Sequence, residues 1–283
     1  MEVRVSGLNI YPVKSLGGIS VRESIVTSRG LHLDRRWMVV DPEGNFLTQR
    51  RFPAMASLKV RVEKGNMVIS RRDLGAFSVN ADPDPRADSL RRVEVWGDAV
   101  DAVEEGAAAA EFMSDALGTK CRLVRMPEEA ERKVNRRFGD HLVSFADGYP
   151  VLAASSSSLD LLNERLETPV PMARFRPNIE IEGLEPFDED RWTKLKIGAT
   201  RFLSAKPCAR CVVTTIDQEE GRPDGKEPLR TLSRMRRAAD VTPDDFELLG
   251  LGPNDALFGQ NLIPLETGQV VRVGDAVELF YKD

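Results

Sequence analysis

Cysteine is scarce in this chain: Cys121, Cys208 and Cys211 are the three among 283 residues. Three thiols cannot close a disulfide framework, and one would always be left over. Histidine is scarcer still, with His32 and His141 alone. Either can serve as a general base, but a lone histidine is more often an ordinary surface or core residue. No G-x-x-x-x-G-K-[ST] loop, H-E-x-x-H pair or G-x-S-x-G elbow occurs. Phosphate-loop, zincin and serine-hydrolase chemistry therefore lack their usual marks. Gly250-Leu251-Gly252 begins like a dinucleotide fingerprint, but Asp255 stands where the third glycine belongs. No apolar run approaches the roughly 20 residues that span a bilayer. The opening MEVRVSGLNIYPVKS carries charges inside its apolar stretch, unlike a signal peptide. A net charge of -5 speaks against a general nucleic-acid binder. These absences predict a cytoplasmic protein with neither membrane nor nucleic acid as a partner.

What is present is ordinary globular material, 41% hydrophobic and 30% charged, long enough to bury a real core. The first half reads as strands. Val3 and Val5 alternate with polar neighbours. Trp37–Val40 and Phe46–Gln49 flank the turn sequence Asp41-Pro-Glu-Gly-Asn45, and Leu58–Val62 and Met67–Ser70 flank Lys64-Gly-Asn66. Both predict hairpins, and Gly97-Asp98 after Val93 and Val95 predicts a third turn. Further strands are predicted at Ile179–Ile181, at Cys211–Thr215, and at Val270–Leu279 around Gly274-Asp275. Helices are fewer. Residues 107–117 are Ala-rich, with Gly118 placed to end them. Ser158 is placed to cap a helix over Leu159–Leu166, and residues 227–238 look helical and basic on one side. The polar stretch Pro127–Arg137 is the best boundary, dividing residues 1–126 from 127–283. The reading is a β-rich α+β protein in two closely packed parts.

Lys206-Pro-Cys208-Ala-Arg-Cys211 is the most informative segment. Four readings of it stand. A C-x-x-C can be half of a zinc site, the rest drawn from Cys121 and a distant histidine. It can be a dithiol redox centre, although that motif normally opens a helix in a βαβ setting. It can be two buried small hydrophobes. Or one soft thiolate holds a redox metal, favoured by a guanidinium nearby, with Arg210 between the cysteines.

The chain resembles the MOSC domain proteins, the family named for the carboxy-terminal domain of molybdenum cofactor sulfurase. The resemblance rests on Cys208-Ala-Arg-Cys211-Val-Val-Thr-Thr-Ile-Asp217 and on three more segments in the family's order. Tyr11-Pro-Val-Lys14-Ser15 is similar to the opening of the amino-terminal β-barrel domain that accompanies MOSC. Arg174-Phe-Arg176-Pro-Asn178-Ile179 and Leu257-Phe-Gly-Gln260-Asn261 are similar to two later MOSC motifs. The fold this implies is an amino-terminal β-barrel-like domain packed on a MOSC β-barrel domain with peripheral helices. The members most similar to it, amidoxime-reducing components and their bacterial relatives, reduce N-hydroxylated compounds to amines. The resemblance implies the molybdenum cofactor (Mo-molybdopterin), with Cys211 as metal ligand and catalytic centre. It places Lys14, Ser15 and Arg35 on the pterin's phosphate and ring, and Asp147, Arg176 and Asn178 on further cofactor contacts. Lysine and arginine suit a phosphate dianion as point charge and paired donor respectively. Asp147 is also the candidate proton donor.

Two residues depart from the family's habit. Gln218 stands where proline often follows the Asp, and Ala209 stands where a small polar residue often separates the cysteines. No cysteine follows Cys211, so the appended ferredoxin domain of bacterial relatives is not expected. Nor is the pyridoxal-dependent part of the sulfurases. The implied enzyme is an oxidoreductase taking electrons from an external partner, such as a ferredoxin or flavodoxin with its reductase. A non-catalytic carrier of the cofactor or of sulfur is the alternative.

Overall fold

The computed structural model describes residues 2–81 and 90–281. Its largest sheet has eight strands. From edge to edge these are Ile19–Val21, Arg4–Ile10, Ile179–Glu182, Val151–Ser155, Ala256–Pro264, Thr200–Arg210, Trp192–Ile197 and Val277–Tyr281. Every neighbouring pair is antiparallel except Val151–Ser155 with Ile179–Glu182. That parallel pair requires a crossover, and residues 156–178 supply it with the helix Ser156–Asn163. In Ile179–Glu182 the isoleucines point inward and the glutamates lie half-buried, the period-2 pattern of a strand with one apolar face. The core beneath the sheet includes Leu8, Ile179, Ile181, Trp192, Leu195 and Phe202.

The rest of the first half forms smaller sheets. Trp37–Val40, Arg122–Arg125, Asp98–Glu104 and Leu90–Val95 make a four-stranded antiparallel sheet. Lys59–Glu63, Asn66–Arg71 and Gly75–Asn80 make a three-stranded meander. All four residues of Trp37–Val40 are buried, as expected of an apolar strand covered on both faces. Between these sheets lies the helix Ala107–Leu117. Ala109, Met113 and Ala116 are its buried face, one stripe at helical spacing. Gly118 ends it in the left-handed conformation, as predicted.

The structure corrects the sequence reading at four places. Cys211–Thr215 is not a strand: the strand ends at Arg210 and Val212–Thr215 is a 3₁₀ turn. The Thr214 hydroxyl donates to the Cys211 carbonyl (3.0 Å) and the Thr215 hydroxyl to that of Val212 (2.8 Å). Such local bonds compete with a ladder. Ser158 does not cap its helix. Ser155 occupies that position, and Ser158 is buried inside the helix with its hydroxyl on Glu189 (2.8 Å). The basic helix is broken into Leu229–Met235 and Ala238–Val241, where Arg236 buries itself against the Phe187 ring and Asp190. The second arm of the first hairpin keeps one bridge, Val40 to Phe46. Gln49 then turns away to donate to the Ser15 carbonyl (2.7 Å).

Candidate functional site

A cavity of about 160 Å³ lies where the eight-stranded sheet meets the strand-rich first half. Its walls come from loops that each leave a rigid element. Lys14 and Ser15 follow the strand Arg4–Ile10, and Thr48–Arg50 follow the broken hairpin arm. Residues 146–149 precede the strand Val151–Ser155, and Phe175–Asn178 precede Ile179–Glu182. Cys208–Cys211 close the ring from the end of Thr200–Arg210. All seven residues singled out in the sequence line this one cavity: Lys14, Ser15, Arg35, Asp147, Arg176, Asn178 and Cys211.

Three of them hold strained backbone. Ser15, Arg35 and Arg176 adopt φ of 69°, 49° and 55°, the left-handed region that costs a non-glycine residue. Each is fastened from outside. The Ser15 carbonyl accepts from Gln49 Nε2. Arg35 donates its N–H to the Tyr11 carbonyl (2.8 Å) and accepts from Phe145 N (3.0 Å). Phe175, beside Arg176, stacks on Phe258 at 4.0 Å between centroids.

The guanidiniums of Arg35 and Arg176 both lie 4.3 Å from the Tyr11 ring centroid. Arg35 also donates to buried Asp34 (2.6 Å) and to Asn178 Oδ1 (3.0 Å). Asn178 takes a second bond there from Leu152 N (3.1 Å) and donates to the Asn9 carbonyl (3.1 Å). Its amide is thus spent on holding Arg35 and two strands in place. Arg176 donates to the Leu16 carbonyl (2.7 Å) and to Gln218 Oε1 (3.2 Å), and burial lowers its pKa to about 10. The departure at Gln218 therefore has a use here: it braces Arg176 and exchanges hydrogen bonds with Gln49.

Lys14 is buried, and its ammonium is paired with Asp147 and lies over Phe46 and Trp96. Burial lowers its pKa, against the pull of Asp147. The surroundings of Asp147 would raise its pKa, but Lys14, Arg50 and the Trp96 N–H together hold it far below the carboxylate range. The Asp147 side chain is 67% exposed, so solvent screens this pairing. In this arrangement Asp147 is an ionised acceptor.

The two cysteines have different partners. Arg210 turns to Cys208, with Nη1 3.0 Å from its sulfur, and to the Phe175 carbonyl (2.7 Å). Cys211 receives Arg50 Nη2 at 3.3 Å. Arg50 also packs 4.5 Å from the Trp96 ring centroid and lies 3.9 Å from Asp147. Thr48, Gln49, Arg50 and Trp96 were missed in the sequence because they match no motif; the available signals were the turn Asp41–Asn45 before the first three and Gly97-Asp98 after Trp96. Cys121 lies in a separate apolar core, and no three His, Cys, Asp or Glu side chains converge on a metal position among the described residues. The zinc reading thus lacks its further ligands.

The model of the MOSC N-terminal β-barrel domain matches residues 2–120, and that of the MOSC domain matches residues 140–278. The mitochondrial amidoxime-reducing component 1 of Xenopus laevis is 33% identical over 96% of this chain and 81% of its own. The chain belongs to the MOSC family. The human amidoxime-reducing component 1 is 32% identical to this MOSC protein over 97% of it and 82% of the human chain. The molybdenum cofactor sulfurase of Oryza sativa is 32% identical over 83% of this chain but only 31% of its own. The MOSC protein is thus related to proteins named for the molybdenum cofactor and for amidoxime reduction. Among its described residues no helix is long and apolar enough to cross a membrane.

The cavity's chemistry fits an anionic cofactor bearing a soft metal. Among the described residues, Lys14, Arg35, Arg50, Arg176 and Arg210 line it against the one carboxylate of Asp147. Arg210 Nε is buried with no hydrogen-bond acceptor among the described residues, a donor that an anion would satisfy. Cys211 offers the cavity a thiol sulfur, the donor type that soft metals select.

Proposed function

We propose that this MOSC protein binds the molybdenum cofactor in the cavity and reduces N-hydroxylated compounds with electrons from an external donor. The observation that carries the proposal is the placement of Cys211 at one wall of a cavity lined by five cationic side chains and a single carboxylate. When bound, the cofactor supplies two-electron chemistry; the protein supplies binding, orientation and charge.

In this reading Cys211 is the protein's ligand to the metal, and Arg50 holds its sulfur in place from 3.3 Å away. Lys14, Arg35 and Arg176 receive the pterin phosphate and ring, and Ser15 lines the same wall. Asn178 acts through Arg35, whose guanidinium it orients. Asp147, as a carboxylate, fixes Lys14 and Arg50 until an incoming anion competes for them. A proton reaching Asp147 from solvent would be passed inward only as Lys14 moves to that anion, so its donor role depends on the loaded state. The donor of electrons in this reading is a ferredoxin or flavodoxin with its reductase; this chain's own residues leave Cys121 and Cys208 beside Cys211, fewer than the four ligands a cluster needs.

The test is reduction of benzamidoxime by protein from a cofactor-producing host. Turnover is expected with reduced viologen and with NADH plus a ferredoxin or flavodoxin system, and not with NADH alone. Full molybdenum content without turnover on any donor would instead support the carrier reading.

A further inference from the structure

A second cavity, of about 330 Å³, lies on the other side of the Asp34–Trp37 segment. Its lining has an apolar part and a cationic part, with Thr27, Ser28 and His32 besides. Leu31, Leu33, Trp37 and Ala81 give an apolar wall, and Arg29, Arg36 and Arg125 give a cationic end. Arg29 and Arg125 are buried, at 6% and 7% exposure. Buried arginine is uncommon unless its donors are satisfied. Here they are satisfied in part. Arg29 donates to the backbone carbonyls of Glu128 (2.8 Å) and Ala130 (2.7 Å), and Arg36 to that of Met126 (2.8 Å). The Nε–H groups of all three arginines are buried with no hydrogen-bond acceptor among the described residues. Arg125 Nε nevertheless has Glu105 Oε1 at 3.3 Å as an ion-pair partner, an oxygen that also accepts from Trp37 Nε1 (2.7 Å).

Among the described lining residues the remaining counter-charge is Glu128. Its carboxylate meets Arg29 at 3.2 Å and Arg36 at 2.7 Å while its side chain is 68% exposed. Glu129 and Glu131 are also felt by Arg29, and both are exposed. An exposed carboxylate bridging two guanidiniums is a poor permanent plug: solvent weakens its hold, and the side chain is free to swing out. Any external oxyanion that entered would meet the same pair of guanidiniums.

We propose that this cavity is a binding site for a small organic oxyanion, a phosphate monoester or carboxylate attached to a flat apolar group. The oxyanion takes the place of the Glu128 carboxylate on Arg29 and Arg36, and the apolar group lies along Leu31, Leu33 and Trp37. The site is separate from the Cys211 cavity: Arg35 lines one and Arg36 the other.

The experiment is calorimetric titration of the full chain with phenyl phosphate and with benzoate, beside inorganic phosphate and phenol as probes of each half alone. Phenyl phosphate or benzoate is expected to bind one site per chain, more tightly than either half-probe. Glu128→Gln removes the competing internal carboxylate and should tighten binding about tenfold, the weight of one charge-assisted contact. Arg36→Gln should weaken it by about as much. Lys14→Ala with Arg176→Ala, which disable the other cavity, should leave it unchanged. Glu128 is exposed, so its variant tests the idea even if Arg36→Gln misfolds. Unchanged affinity in Glu128→Gln would overturn the site. So would loss of binding in the Lys14→Ala, Arg176→Ala protein, which would place the anion in the Cys211 cavity. Binding of inorganic phosphate as tight as that of phenyl phosphate would remove the apolar half of the proposal.

Discussion

Two cationic cavities flank the segment Asp34–Trp37, and they are built differently. The Cys211 cavity sets five cations against Asp147 and places two thiols on its wall. The second sets three arginines against Glu128, with Glu105 behind, and contains no thiol. The first also holds three left-handed non-glycine residues on its lining, and the lining of the second holds one, Leu33. Positive charge alone does not distinguish a metal-cofactor site from a plain anion site. The soft donor and the concentration of backbone strain do.

The largest effect that would sharpen this contrast is at the thiols. Cys211→Ser should abolish amidoxime reduction, whereas Cys208→Ser should keep most of it, because Cys208 is engaged with Arg210 while Arg50 reaches Cys211. Steady-state rates with reduced viologen decide it, and an inactive Cys208→Ser with an active Cys211→Ser would break the contrast. Next come the cations. Lys14→Ala and Arg176→Ala should each weaken cofactor retention by about 1.5–3 kcal/mol, one charge-assisted contact, without unfolding the protein. Pterin content after gel filtration, beside a thermal melt, checks this. Gln218→Ala should cost less, about 1 kcal/mol in stability, since it frees Arg176 and Gln49 from a neutral brace; urea unfolding measures it.

The smallest expected effect is the pH dependence of the Lys14–Asp147 pair. The folded pKa of Asp147 lies below its unfolded value of about 3.9. Its contribution is therefore complete above that unfolded value and is lost as pH falls toward the folded one. Wild type should exceed Asp147→Asn by no more than about 1 kcal/mol at neutral pH, because solvent screens the pair through its exposed carboxylate. The two should converge at acid pH. A gap that widened on acidification would reverse the sign.

How far the sequence was readable follows the same line between local and distant determinants. The Ala107–Leu117 helix and the Lys59–Glu63/Asn66–Arg71 hairpin were visible because their signals, an alanine run before Gly118 and a turn at Lys64–Asn66, are local. The β-rich class and the MOSC resemblance were visible too, and the resemblance carried the seven cavity residues, which periodicity could not have found. The Val212–Thr215 turn was misread because valine and threonine favour strands by composition, while the threonine hydroxyls chose their own carbonyls. Ser158 was misread because its buried partner Glu189 is 31 residues away. Arg50 stayed invisible for a similar reason. Its partner Cys211 is 161 residues off, and no pattern within a window of sequence joins them.

The central claim is that Cys211 is the protein's ligand to molybdenum in a cofactor bound between the two halves of the cavity wall. It is tested most directly by molybdenum-edge X-ray absorption on wild type, Cys208→Ser and Cys211→Ser proteins from a cofactor-producing host, with metal content measured on the same samples. The account predicts about one molybdenum per chain in wild type, with one metal–sulfur scatterer fewer in Cys211→Ser and an unchanged spectrum in Cys208→Ser. Zinc at full occupancy, or a sulfur lost in Cys208→Ser and retained in Cys211→Ser, would contradict it.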